Sequence, residues 1–167
     1  MSPVLFLRHA DANDEQQVKD CYQRSSSIHQ PWVYPPEDYE AFLSAEYRYF
    51  LCLESSREIV GTFNISGIVR GYFQSAYLGY EIFSPHHGKG YMTRGIKLLL
   101  SKAFEELKLH RLEANIQPNN KASIRLVSRA GFEKEGYSKN YLNIAGLGWK
   151  DHERWAMVNP SWKDGVS

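Results

Sequence analysis

Between residues 76 and 107 the apolar pattern of the chain changes period, and that change restricts the fold more than any other feature. From Ala76 to Phe83 the side chains alternate. Ala76, Leu78, Tyr80 and Ile82 fall on one face and Tyr77, Gly79, Glu81 and Phe83 on the other, as in a strand. Met92, Ile96, Leu99, Leu100, Ala103 and Leu107 then form the stripe of an amphipathic helix. The short link between them, Ser84 to Gly90, carries two glycines. A strand, a tight glycine turn and a helix in this order place the first amides of the helix at the end of a sheet.

The flanking segments predict the rest of the architecture. Val4 to Arg8 reads as a first strand, followed by a helix capped by Asp11 or Asn13 and running to about Ser26. The stretch from His29, with Pro31, Pro35 and Pro36, begins as a loop, and a short helix follows to about Glu46. Two strands, from Tyr47 and from Glu58, are joined across Ser55, Ser56 and Arg57 as a hairpin. After the helix from Met92, Leu112, Ala114 and Ile116 alternate in a strand. Asn120 then caps a helix to about Ala130 that Gly131 ends. Strands over Phe132–Tyr141 and Trp149–Val158 close the chain. Runs of strands interrupted by single helices predict an α+β fold with a mixed sheet rather than a doubly wound parallel one.

The 167 residues fit one domain, expected over 1–167. A net charge of +1 lacks the basic field of a nucleic-acid binder, and no nucleic-acid or membrane partner is expected. Cys21 and Cys52 stand alone without ligand spacing, and no apolar run is long enough for a signal peptide or a membrane span. The expectation is a reduced, cytoplasmic protein. Adjacent His86 and His87 lack the spacing of a helical zinc pair, so no metal is expected. Lys102–Lys108 and Glu133–Lys139 read as solvated charged faces.

The loop is the main chemical signal. Gly88 and Gly90 allow close backbone approach to a ligand, and the helix beginning near Tyr91 presents unpaired amides. Together with Lys89 they form a cradle for a pyrophosphate; a plain glycine turn is the alternative. The loop is neither a P-loop, which needs four residues between its glycines and then Lys-Ser/Thr, nor a dinucleotide fingerprint, whose third glycine is missing.

His87-Gly88-Lys89-Gly90-Tyr91-Met92 resembles the acyl-coenzyme A signature of the GNAT N-acetyltransferases, Gln/Arg-x-x-Gly-x-Gly/Ala, with His87 and Met92 as departures. Val69–Tyr80, His110–Ser123, Gly131–Leu142 and Gly148–Glu153 extend the resemblance across the chain. They direct it toward the ribosomal-protein N-terminal alanine acetyltransferases within that family.

The resemblance implies the acyl-CoA N-acyltransferase (GNAT) fold, with a mixed, mostly antiparallel sheet splayed where the cofactor enters and flanked by helices. It implies acetyl-CoA as co-substrate and direct transfer to a primary amine. The acceptor is then the N-terminal residue of a ribosomal or other protein, with a small-molecule or antibiotic amine as the alternative. A non-catalytic CoA-binding sensor is the reading from outside the enzyme class, and a monomer or homodimer is expected in either case. The backbone of Ile82–Phe83 is expected to pair with the pantetheine arm. The segment His87, Gly88, Lys89, Gly90, Tyr91, Met92 and Thr93 is expected to hold the pyrophosphate, with Asn120 near the thioester. Asn120 serves equally as a helix cap.

Transfer to an amine needs a neutral nucleophile, a stabilised oxyanion and a proton for the leaving thiolate. An α-amine of pKa about 8 is roughly one-tenth neutral at pH 7, whereas a lysine near 10.4 is neutral only about once in 2,500. An α-amine therefore asks little of a base, which can act through water. Glu81 is the candidate base, with a structural edge carboxylate as the alternative. Many relatives carry an acidic tyrosine seven residues after the asparagine, where this chain has Val127. The subgroup's alternative is a serine three residues after it, here Ser123, which can also bond the first turn of its helix. Tyr137 and Tyr141 are further donors or packing residues. Trp32 and Tyr34, beside Pro31, line the acceptor entrance or cap the core.

Overall fold

The computed structural model describes residues 2–163. Met1 and residues 164–167, the ends of the expected 1–167 domain, lie outside the described residues. Seven strands form one sheet: β1 (Leu5–His9), β2 (Arg48–Leu53), β3 (Ile59–Val69), β4 (Ser75–Ile82), β5 (Arg111–Ile116), β6 (Glu133–Asn143) and β7 (Trp149–Val158). Their spatial order is β1-β2-β3-β4-β5-β7-β6.

Every neighbouring pair is antiparallel except β4 and β5. A parallel pair needs a crossover, supplied here by α4 (Tyr91–Ser101), whose chain continues as a π-helical turn over Lys102–Glu106. The stripe expected to run as one helix to Leu107 therefore ends in a wider turn, closed by the Leu107 amide on the Lys102 carbonyl at 2.9 Å. β4 and β5 pair only from Ser75–Arg111 to Tyr77–Glu113. Beyond that, β4 continues to Ile82 on β3 alone and the two strands part. The mixed, splayed sheet expected from the sequence is what the chain forms.

Helices cover both faces. α4 and α5 (Lys121–Ala130) lie on one, over a core that includes Leu51, Phe63, Ile96, Leu99, Leu112 and Val127. α4 approaches the sheet closely because residue 95 is glycine; a Cβ there would stand 2.7 Å from Leu51 Cδ2. The other face carries α1 (Glu15–Arg24) and α3 (Tyr39–Ser44), burying Val18, Tyr22, Leu43, Phe50 and Phe83. Ala76 and Leu78 of β4 belong to the first core, and Phe83, just past the end of the strand, belongs to the second.

The first helix differs from the expectation of one segment to Ser26. Asp11 caps a 3₁₀ turn, Ala12–Asp14, and α1 stops at Arg24. After Ser25 a short α2 (Ser26–His29) follows, so His29 ends a helix instead of beginning a loop. Ser25 explains the break: its Oγ donates to the Cys21 carbonyl at 2.5 Å and accepts the Ser84 amide at 2.9 Å. The bond to Ser84 depends on tertiary contact, which local propensity does not contain. Asn120 and Gly131 act as expected, capping α5 and ending it with a left-handed φ of 101°.

Candidate active site

The splay opens two cavities that meet at the end of β4. The larger, about 380 Å³, lies toward the glycine loop and the N-termini of α4 and α5. The smaller, about 220 Å³, reaches toward Leu142, Ile144 and His152 of the β6–β7 end. Both are lined by Trp32, Val33, Tyr80, Glu81, Asn120 and Ser123. A ligand in one cavity thus reaches a ligand in the other only beside these residues.

The larger cavity is built for an anion. Gly88 and Gly90 have φ of 74° and 76°, the left-handed region, and a Cβ at either would meet nothing within 4 Å. Glycine is placed there by backbone conformation, and the open side is the face toward a ligand. Gly90 also precedes the first residue of α4, whose first amides have no partner within the helix, and the residues that carry them line the cavity. Tyr91, Met92 and Thr93 line the same wall, with His87 beside them. Arg125 and Arg129, one turn apart on α5, add two exposed cations. Their i, i+4 spacing was readable in the sequence, but without the fold nothing indicated that α5 faces this loop. The loop is anchored from behind: Arg24 Nε donates to the Ser84 carbonyl at 2.5 Å, and His86 Nε2 lies 3.0 Å from Glu58 Oε1.

Some expected residues fall elsewhere. Phe83 is fully buried among Tyr22, His29 and Phe50. Its amide donates to the Val60 carbonyl, and its carbonyl accepts from the His86 amide and keeps a second lone pair. Phe83 faces α1 because it lies on the opposite side of the pleat from Ile82. Ile82 does line the larger cavity, and its carbonyl accepts a hydrogen bond from His29 Nε2 at 2.6 Å. Burial lowers the pKa of His29, against this bond's pull toward the charged form. A carbonyl carries two lone pairs, so an incoming amide shares Ile82 with His29 or displaces it. Lys89 turns toward the Tyr91 ring, 6.0 Å away, and lines neither cavity. Tyr34 lines neither, while Trp32 lines both. Tyr137 donates to Asp151 at 2.6 Å on the exposed β6–β7 hairpin, and neither it nor Tyr141 reaches the cavities. His86 is buried and His87 exposed, and both line the larger cavity. Among the described residues no group of three or more His, Cys, Asp or Glu is placed to hold a metal.

Glu81 and Ser123 stand on opposite sides of the junction. Glu81 lies on the α1 face, with Tyr22 Oη donating to its Oε2 at 3.4 Å. Burial raises its carboxyl pKa, and the charge of Arg48 and the Tyr22 bond oppose that rise without cancelling it. A carboxylate made more basic by desolvation is better matched to accept a proton. Arg48 lies over the Phe42 ring at 3.9 Å, and its Nε is buried without a partner.

Ser123 is in the first turn of α5, where Asn120 Oδ1 accepts its amide at 3.3 Å. Its hydroxyl meets Tyr80 Oη at 2.6 Å. Val127, at the position of the missing tyrosine, is wholly buried in the core, so that site does not face the junction at all. Tyr80 joins the junction without a signal in the sequence beyond its face of the strand, because only the separation of β4 from β5 leaves it open toward α5.

The family described as "Acetyltransferase (GNAT) domain" matches residues 5–133. The [Ribosomal protein uS5]-alanine N-acetyltransferase of Escherichia coli (strain K12) is 43% identical over 109 residues, 65% of this chain and 56% of that protein. The curated relatives are matched over about three-fifths of their own length, 63% and 56% for two of them. Among solved structures, a ribosomal-protein-S5-alanine acetyltransferase from Vibrio fischeri superposes with a TM-score of 0.84 at 26% identity. The match covers 98% of this chain and 97% of that one. Mycobacterium smegmatis RimJ, solved in complex with CoA-disulfide, superposes with a TM-score of 0.81 at 25% identity, over 93% and 82% of the two chains.

Proposed function

This chain belongs to the GNAT acetyltransferase family, and from that premise we propose that it is an enzyme that moves acetyl from acetyl-CoA to the N-terminal α-amine of a protein, ribosomal or other. The observation that carries this reading is the meeting of two cavities at Tyr80, Glu81, Asn120 and Ser123. One has the anion-binding features that a CoA pyrophosphate requires, and the other is a smaller chamber on the far side of the same junction. Two of these residues stand on β4 and two at the head of α5, so strand and helix meet at the junction.

The chemistry follows from position. Gly88, Gly90 and the α4 amides hold the diphosphate, with Arg125 and Arg129 answering the remaining negative charge. The thioester then lies beside Asn120 and Ser123 and the amine enters past Trp32. Holding both reactants at the junction supplies the proximity that most of the acceleration needs. Glu81 accepts the proton from nitrogen, directly or through water, and Ser123 passes one to the departing sulfur. Two relatives are named for an alanine N-terminus, which supports an α-amine acceptor here.

Mass spectrometry of a cellular protein pool incubated with enzyme and isotopically labelled acetyl-CoA tests the proposal. Label on protein N-termini is the expected result. Label confined to lysine side chains or to small amines overturns the acceptor assignment, and no transfer to any amine overturns the enzyme.

A further inference from the structure

We propose that Tyr80 is a positioning residue for the leaving-group step, supplying through the Ser123 hydroxyl the proton that the departing thiolate takes up. This rests on the reading of Ser123 as the group beside the thioester sulfur, and it assigns to Tyr80 a part in the reaction beyond packing.

Three observations carry it. The Tyr80 and Ser123 oxygens are 2.6 Å apart, a short hydroxyl–hydroxyl contact, whereas the alternative acceptor for Tyr80, the Ser123 carbonyl, is 3.4 Å away. A serine hydroxyl has one hydrogen and two lone pairs, so it can accept from Tyr80 and still aim its own hydrogen at the sulfur. The Ser123 amide is fixed on Asn120 Oδ1, which holds the serine at the head of α5. Both hydroxyl-bearing residues line both cavities, so the pair stands where acyl donor and acceptor meet.

The chemistry explains why serine needs a partner. An aliphatic hydroxyl is a much weaker acid than a phenol, and left alone it would become an alkoxide beside a thiolate. A phenol of ordinary pKa about 10 is close to a thiol of about 8.5. Burial raises the Tyr80 pKa, and the nearby Glu81 charge adds to the rise. The bond to Ser123 opposes both without cancelling them, so the phenol is protonated in the resting site and is a weaker acid there than in water, which makes its transfer the demanding part of the relay.

The step balances. The neutral amine nitrogen attacks the thioester carbon, the C–N bond forms and the C–S bond breaks. Sulfur takes the hydrogen of Ser123 Oγ as Ser123 Oγ takes the hydrogen of Tyr80 Oη. The proton released from nitrogen goes to Glu81. Water afterwards returns a proton to the Tyr80 phenolate and removes one from Glu81. The products are CoA thiol and the N-acetylated amine.

The test is single-turnover acetyl transfer by wild type, Tyr80→Phe, Ser123→Ala and the double variant, in H₂O and D₂O. Phenylalanine retains the ring that lies 6.3 Å from Phe63, so packing is kept. Tyr80→Phe should slow transfer about 10²-fold with little change in acetyl-CoA affinity. The double variant should be no slower than the slower single one, because the two hydroxyls act as one unit. The proton inventory should be more strongly curved for wild type, where the relay adds a proton in flight, than for Tyr80→Phe. A wild-type rate in Tyr80→Phe, additive losses, or a proton inventory unchanged by the substitution overturns the relay and leaves the transferase standing. A wild type that binds acetyl-CoA but acetylates no amine overturns both.

Discussion

Tyr80 and Glu81 are neighbours on β4 whose side chains leave through opposite faces of the sheet, yet both line both cavities. Tyr80 reaches the head of α5, and Glu81 reaches Tyr22 of α1. Alternation along a strand normally separates two such functions. Here the strand ends between the two cavities, with no β5 partner beyond Tyr77, so a phenol and a carboxyl one residue apart both face them.

Gly90→Val should abolish acetyl-CoA binding. A β-branched residue is strained at a φ of 76°, and its side chain projects into the space where the pyrophosphate lies. Isothermal calorimetry is the measurement, with Gly90→Ala as a milder step in the same direction. Unchanged affinity for the valine variant would move the cofactor site elsewhere.

Replacing Arg125 and Arg129 together by glutamine should weaken acetyl-CoA binding about tenfold. Each exposed cation contributes on the order of 0.5–1 kcal/mol, and the contribution is screened by salt. The gap between wild type and variant should therefore shrink as ionic strength rises. A salt-independent loss would mean that the side chains act by packing.

For Glu81, activity and stability should move in opposite directions. Glu81→Gln should lower turnover, by about 10²-fold at most for an α-amine, and the loss should shrink above the pKa of the acceptor. The carboxyl pKa is raised in the folded protein above its ordinary 4.5, chiefly by burial. Its contribution to stability is thus fully present below pH 4.5 and is lost as pH rises through the folded value. The uncharged glutamine escapes that loss, so thermal melts should show the variant more stable than wild type at pH 7 and equal to it at pH 4. A variant less stable at pH 7 would show that the carboxylate is well compensated.

Ser123→Ala should lose activity equally across the pH range, because it serves the sulfur and not the amine. Rate profiles between pH 6 and 10 separate it from Glu81→Gln. Parallel, pH-independent losses in both would leave proximity as the main source of rate.

Asp14→Asn should destabilise the protein by about 1.5–3 kcal/mol at pH 7, the range for charge-assisted hydrogen bonds. Burial works against the Asp14 charge. The paired bonds from Arg8, at 2.8 Å each, and the Asp11 amide still hold its pKa below the ordinary 3.8. The stabilisation is present above 3.8 and lost as pH falls through the lower, folded value. Denaturant titrations at pH 7 and pH 2 should show the gap closing at the acid end.

Local pattern determined much of this protein. Alternation from Ala76 and the helical stripe from Met92 set the strand–loop–helix unit. The glycines in the loop are where a left-handed backbone occurs, and Asn120 and Gly131 bound α5 as their chemistry dictates. These features depend on residues within a turn or two of each other, so the sequence alone determines them. Tertiary structure decided the rest. Whether Phe83 or Ile82 faces the cleft depends on which side of the pleat meets α1, and the placement of the Lys89 ammonium over the Tyr91 ring is a matter of side-chain packing. Arg125, Arg129 and Tyr80 join the site only because β4 and β5 part after Tyr77, which sets α5 against the open strand end. That separation arises from pairing between segments more than thirty residues apart, and no local propensity encodes it.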